Sequence, residues 1–306
     1  MTDNLVVHDD AAHLPRWAPP GSADLVYLDP PFSVGVRFRA RPAAGTTRAR
    51  ATGPSVYDDR WPSLAAYLEW LEARLAVARD SLAPHGTLWL HLDQRAVHEA
   101  KGIADRLFAA AGCEGFVGEI IWLPGNGTKA RRGPGVSHQT ILIYARTGEF
   151  LWNGQDPTLR APYAATSQAM HFTRTDEQGR AFRERVVGGK SYRYYADQGR
   201  ALGSVWADCP SMVANTPLRK ETTGYPTQKP LKLLDRIVRA ASAPGGLVVD
   251  PFHGSGTTLV AAAKLGRRFV GIDVGEEAHR TARERLTRED VPFVAHVAEL
   301  VPAVPS

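Results

Sequence analysis

Asp24-Leu25-Val26-Tyr27-Leu28-Asp29-Pro30-Pro31-Phe32, near one end of the chain, is matched near the other by Leu247-Val248-Val249-Asp250-Pro251-Phe252-His253-Gly254-Ser255-Gly256-Thr257-Thr258. Each is an apolar strand that runs into a tight loop carrying proline or glycine. Such loops build sites at the carboxyl edge of the sheet in α/β proteins. In the first, Asp29 supplies a carboxylate oxygen and Pro30 a carbonyl oxygen, two acceptors suited to an exocyclic amino group. The two prolines, Pro30 and Pro31, hold these acceptors in place beforehand. Phe32 offers a flat face on which a base can stack.

The second segment reads as strand, glycine-rich loop and helix. That order sets backbone N–H groups and a helix N-terminus beside a ligand, and glycine lets the ligand approach closely. Asp273 ends the next strand, 23 residues beyond Asp250, where an acidic group can accept both ribose hydroxyls. A dinucleotide fingerprint fails because its third glycine falls on Leu259. A phosphate loop at Gly188-Gly189-Lys190-Ser191 fails too, since its first glycine falls on Glu184.

Outward from these loops, strands alternate with helices, which predicts a mainly parallel sheet. Strands are expected at Leu5–Val7, Asp24–Leu28, Thr87–Leu92, Glu119–Trp122, Thr140–Tyr144, Leu247–Val249 and Phe269–Ile272. Ser63 opens an amphipathic helix that Pro84-His85-Gly86 is expected to stop. Further helices are expected from about Arg95 to Ala111, from Pro230 to Ala241, from Thr257 to Leu265 and from Glu276 to Leu286. Residues 33–60 read as a mobile loop, 151–215 as a polar and aromatic stretch without a clear pattern, and 287–306 as a weakly defined tail.

The 306 residues, 43% hydrophobic and 23% charged, suit a soluble globular protein. No basic segment precedes an apolar run at Met1-Thr2-Asp3-Asn4, and no apolar stretch approaches membrane-spanning length, so a cytoplasmic protein is expected. Cys113 and Cys209 form neither a disulfide framework nor a zinc motif. His91 and His98 lack metal spacing, and His91 is expected at the end of a sheet strand near the ligand. Trp122 reads as core rather than as a base-stacking group; Trp152 and Trp206 are open to either role. The net charge is +5, and its placement matters more than its size. Arg37, Arg39, Arg41, Arg48 and Arg50 follow the first loop without an acidic residue until Asp58, and Lys129, Arg131 and Arg132 cluster in a second loop. Such clusters neutralise phosphates.

The pair of motifs, in this order, resembles the β-group of amino-methylating DNA methyltransferases, whose DPPY-type motif comes first and cofactor motif last. Gly118-Glu119-Ile120-Ile121-Trp122, Ser204-Val205-Trp206-Ala207-Asp208 and Thr222-Thr223-Gly224-Tyr225-Pro226-Thr227-Gln228-Lys229-Pro230 are similar to further segments of that family. The resemblance implies a Rossmann-like α/β sheet with residues 1–149 as a catalytic half, 150–215 as an inserted target-recognition region and 216–306 as a cofactor half. It implies methyl transfer from S-adenosylmethionine to a flipped base in double-stranded DNA. Asp29, Pro30, Pro31 and Phe32 would then be catalytic. Asp9, Thr227, Gln228, Lys229, Asp250, Phe252, Gly254, Ser255, Gly256, Thr257, Thr258 and Asp273 would hold the cofactor. In this scheme Thr227 and Gln228 bond the methionine carboxylate at a helix N-terminus, and Asp9 contacts the adenine, although His8 stands where the family commonly has glycine. Arg37, Arg39, Arg41, Lys129, Arg131 and Arg132 would touch DNA. An Asp before Pro-Pro is commoner in adenine-N6 enzymes and a Ser in cytosine-N4 enzymes, so adenine is the expected target and cytosine the alternative. Phe32 replaces the usual Tyr. A non-catalytic DNA-binding subunit is the contrasting class, and both motifs being intact argue against it. A homodimer and a restriction endonuclease partner are further implied; no metal is.

Overall fold

The structure, a computed structural model, describes residues 4–39, 53, 55–125, 127, 131–212 and 221–298. Arg41 and Lys129, two of the expected DNA contacts, lie outside these residues. The chain divides into two compact units, one of Met1–Trp152 with Ser204–Ser306 and one of Asn153–Gly203.

The first unit begins with β1 (Leu5–His8) and β2 (Ala23–Leu28), then an antiparallel pair, β3 (Arg37–Arg39) and β4 (Ser55–Asp58). It continues with α1 (Leu64–Ser81), β5 (Leu82–Leu92), α2 (Val97–Ala110), β6 (Gly115–Trp122) and β7 (Gln139–Ala145). The second unit holds β8 (Arg160–Ala161), α3 (Ala165–His171), β9 (Arg174–Thr175), β10 (Ala181–Val187), β11 (Lys190–Tyr195) and β12 (Arg200–Ala201). The first unit resumes with β13 (Val205–Trp206), α4 (Leu231–Ala241), β14 (Leu247–Asp250), α5 (Thr257–Lys264), β15 (Arg268–Asp273), α6 (Glu276–Arg288) and β16 (Val294–Val297).

Nine of the described strands form one sheet in the order β13-β6-β7-β5-β2-β14-β15-β1-β16. Only β7 runs against the others. Strands β2 and β14 are buried along their whole length, which is why each reads as an unbroken apolar run rather than an alternating one. From their junction the chain winds outward both ways, β14 to β15 and β2 to β5. A crevice therefore opens at the carboxyl ends of these strands, where an α/β sheet binds its ligand. The two-residue period of the strands sorts their side chains. Val26, Leu28, Leu88 and Leu90 join Leu71 and Leu75 of α1 and Ala104 and Phe108 of α2 in one core; Tyr27, Trp89 and His91 take the other face.

Ser63 caps α1, its hydroxyl accepting from Ala66 N at 3.1 Å. The helix ends at Ser81, before the Pro84-His85-Gly86 expected to stop it, because Leu82 already pairs with Ala23. Pro84 and Gly86 instead occupy an irregular stretch of β5, a place where strands tolerate proline. A Cβ on Gly86 would stand 2.4 Å from Ala23 O, so no larger residue fits.

Two further expectations change. Within 33–60, β3 and β4 pair, and Phe38 stacks on Tyr57 with ring centroids 4.7 Å apart. In the tail, β16 adds to the sheet beside β1. All four of its residues are exposed, so no buried face marks it in the sequence.

The second unit contains a three-stranded antiparallel sheet, β11-β10-β9, and the pair β12-β8. Leu159, Phe172 and Phe182 are buried within it. It falls inside the 150–215 span, whereas Val205–Trp206 pairs with β6 of the main sheet. Trp122 and Trp206 are buried, with Trp122 Nε1 donating to Cys209 O at 2.7 Å. Trp152 is exposed and stacks on Trp89. Among the described residues no helix is long and apolar enough to cross a membrane.

Candidate active site

A cavity of about 620 Å³ opens at the carboxyl ends of β2 and β14 and is lined from both motifs, within the size range of ligand sites. Asp29 follows the last residue of β2. Its Oδ2 accepts from Lys229 Nζ at 2.5 Å, and its Oδ1 is buried with no hydrogen-bond partner. Burial raises the Asp29 carboxyl above its ordinary range, and the Lys229 ammonium opposes that rise. The same ammonium stands 5.0 Å from the centre of the Phe32 ring.

The loop beyond Asp29 is held by a residue that the motifs do not mark. Asp59 is fully buried; its carboxylate accepts from the backbone N–H groups of Phe32, Ser33 and Val34 and from Trp61 Nε1, at 2.9–3.2 Å. Ser33 takes a φ of 57°, and that strained turn is stabilised by these bonds. Asp59→Ala is expected to lower stability by about 3 kcal/mol, because several donors lose a charged acceptor. Denaturant unfolding measures this, and an unchanged midpoint would contradict the role. No local signal announces Asp59, which follows Asp58 in a polar stretch.

On the cofactor side, Gly254 N donates to Asp273 Oδ2 at 2.9 Å and Gly275 N to Asp273 Oδ1 at 2.8 Å. Phe252 N donates to Asp250 Oδ1 at 3.0 Å. Burial pushes the Asp250 carboxyl up to about 7. Gly254 and Gly256 have φ of 49° and 74°, and a Cβ on Gly254 would stand 3.1 Å from the Tyr225 ring. Arg285 Nη1 donates to Thr257 Oγ1 at 2.7 Å, and Thr257 Oγ1 donates to Lys229 O at 3.2 Å, which joins the two cofactor motifs. Phe252 lies 5.7 Å from Trp70, centre to centre.

Every residue of Asp29–Phe32 lines the cavity, as do Thr227, Gln228, Lys229, Asp250, Phe252, Gly254, Ser255, Thr257, Thr258 and Asp273. Gly256 stands behind it as the N-cap of α5. Asp9 does not reach it. Its carboxylate, fully buried, accepts from Asp10 N, His13 Nδ1 and Trp17 Nε1; the neighbouring Asp10 lines the cavity instead. Gln228 departs from its expected role as well. Its Oε1 accepts from Thr223 N and Oγ1, and its Nε2 donates to Glu221 O and Met212 Sδ. No amide donor is left for a carboxylate. The N-terminus of α4 is likewise occupied, since Leu231 N donates to Glu221 Oε2 at 3.0 Å.

Six carboxylates, Asp10, Asp29, Asp59, Asp93, Asp250 and Asp273, face the cavity against two cations, Arg74 and Lys229. Arg74 is itself paired with Asp10 at 2.7 Å. This balance suits a ligand carrying positive charge. Arg37, Arg39, Arg131 and Arg132 are exposed and do not line the cavity. Asp58 pairs with Arg37 at 2.8 Å, so part of that charge is compensated. Among the described residues no cluster could hold a metal ion.

A family model described as DNA methylase matches residues 23–284. The chain is 27% identical to the type II methyltransferase M.EcaI of Enterobacter cloacae, over 97% of this chain and 72% of that protein. It is 25% identical to the DNA adenine methyltransferase YhdJ of Escherichia coli K12, over 92% and 82%. Among solved structures, it resembles the DNA modification methylase TTHA0409 of Thermus thermophilus complexed with S-adenosyl-L-methionine (21% identity, 97% and 100% covered, TM-score 0.55). It also resembles the cytosine-N4-specific PvuII DNA methyltransferase (14% identity, 98% and 97% covered, TM-score 0.57).

Proposed function

The chain belongs to the N6/N4 DNA methylase family, and on that premise we propose that it methylates the exocyclic N6 amino group of adenine in double-stranded DNA. One observation carries this reading: the buried, unpartnered Asp29 Oδ1, in a cavity shared with the glycine loop. The residues present suit S-adenosylmethionine. Asp273 and the glycine loop would take its nucleoside, Phe252 would pack beside it, and the acidic lining favours its sulfonium. When bound, it supplies an electrophilic methyl group.

The chain's own residues do the rest. An amine conjugated with a base ring is a poor nucleophile. Asp29 Oδ1 and the Pro30 carbonyl accept its hydrogens and favour a pyramidal nitrogen with its lone pair free. Phe32 stacks on the extruded ring, and the narrow cavity aligns nitrogen and methyl for direct displacement. Lys229 keeps Asp29 from being neutralised by burial. Rate should therefore fall as pH drops through the raised Asp29 pKa, where the acceptor gains a proton. Lys229→Met removes the opposing influence, so the acidic limb of kcat, measured at saturating cofactor, should move to higher pH. A limb that stays in place would refute this coupling.

Arg37, Arg39, Arg131 and Arg132 would neutralise phosphates, and residues of about 150–215, which in sequence lie between the two halves of the methyltransferase, would recognise the target site. The same reading includes cytoplasmic placement, a homodimer and a restriction endonuclease of matching specificity, supported by the type II relatives. The decisive experiment is mass spectrometry of nucleosides after unmethylated DNA of broad sequence content is incubated with protein and S-adenosylmethionine. N6-methyladenine is expected. N4-methylcytosine would change the base and keep the mechanism, and neither product would point to a binding role.

A further inference from the structure

Asp29 Oδ1 is not alone at the cavity: Gln139 Oε1 and Ser211 Oγ are also buried without a hydrogen-bond partner, and both residues line it. Folded proteins rarely leave such atoms unsatisfied unless a ligand or water completes them. Gln139 opens β7 opposite Trp122 of β6, whose ring lines the same cavity. The reaction derived above gives Gln139 nothing to do.

Behind it stands a buried pair on β2 and β5. Tyr27 OH and His91 Nδ1 are 2.7 Å apart, and both residues are essentially inaccessible. Burial, and then the Lys229 charge, push the His91 imidazole well below its ordinary range, while Gln139 opposes them. Burial also keeps Tyr27 a phenol. A phenol donating to Nδ1 leaves the single ring proton on Nε2. His91 Nε2 and Gln139 Oε1 are close enough for this influence yet form no bond of good geometry. A small adjustment on base entry would let Nε2–H meet Oε1, and the amide N–H₂ of Gln139 would then face the cavity as a donor. That is the complement of the ring nitrogen beside an adenine amino group whose hydrogens go to Asp29 and Pro30.

We propose that Gln139 reads the target base, its carboxamide donating to N1 of the extruded adenine, with Tyr27 and His91 as positioning residues that set the amide. This rests on the adenine-N6 reading. The test compares kcat/KM on duplexes whose target base is adenine or 1-deazaadenine, in the wild type and in Gln139→Leu. Removing N1 alters the amine's own reactivity, so the adenine-to-deazaadenine ratio is compared between proteins rather than read alone. Gln139→Leu should lower that ratio about 10- to 100-fold. Gln139→Glu, of equal size and without the donor, should do the same. His91→Leu should lower the ratio too, whereas purely structural damage would slow both substrates alike. An unchanged ratio in Gln139→Leu and Gln139→Glu, or a sensitivity confined to 7-deazaadenine, would overturn the inference. Failure of the wild type to form N6-methyladenine would instead overturn the reading beneath it, and product analysis shows that separately.

Discussion

Asp29→Ala should abolish methyl transfer, with kcat down by about 1,000-fold or more, while affinity for S-adenosylmethionine stays nearly unchanged. The expectation follows from the two oxygens of this carboxylate. Oδ2 is held by Lys229, which fixes the side chain, and Oδ1 is buried and free. An acceptor arranged before the reaction is worth most in a cavity that excludes water, because nothing reorganises as charge develops. Alanine removes the acceptor and also strands the Lys229 ammonium, which is only 8% exposed. Some stability is therefore lost with the activity. Asp29→Asn preserves the volume and separates the two effects: it should fold normally and remain nearly inactive. Calorimetry reports cofactor binding and nucleoside mass spectrometry reports transfer. Activity within tenfold of the wild type would remove Asp29 from the mechanism.

Asp273→Ala should weaken S-adenosylmethionine binding by about 10- to 100-fold, the range for losing hydrogen bonds to a charged acceptor. Each Asp273 oxygen already receives one backbone N–H, from Gly254 or Gly275, and each keeps a lone pair for a ribose hydroxyl. The substitution thus acts twice, removing the ribose acceptors and loosening the glycine loop. The loss should appear in Kd by calorimetry, with kcat recovering at saturating cofactor. Unchanged affinity would contradict the ribose role.

Much of this site was legible because its loops are local. Asp29-Pro30-Pro31-Phe32 and Asp250–Thr258 each follow a strand within a few residues, and proline and glycine constrain the backbone whatever surrounds them. The partners of those loops were not legible. Asp59 reads as one acid in a polar stretch, and Gln139 as the polar start of an apolar strand. Asp9 and Gln228 were placed by motif position. The contacts around them, His13 and Trp17 for one and Thr223 and Glu221 for the other, use up the groups that a cofactor would need. Strand β16 stayed hidden because an edge strand exposed on both faces carries no alternation.

The sequence by itself determined the alternating α/β pattern, the two strand-loop motifs and the chemistry their residue types allow. Backbone restriction by proline and glycine, and burial along a strand, act over a few residues and leave their mark there. Only the tertiary structure decided that β2 lies beside β14, that Lys229 reaches Asp29, and that Gln139 and Ser211 share their cavity. Strand order depends on which crossovers bury the most apolar surface together, a property of the whole sheet that no window of sequence contains.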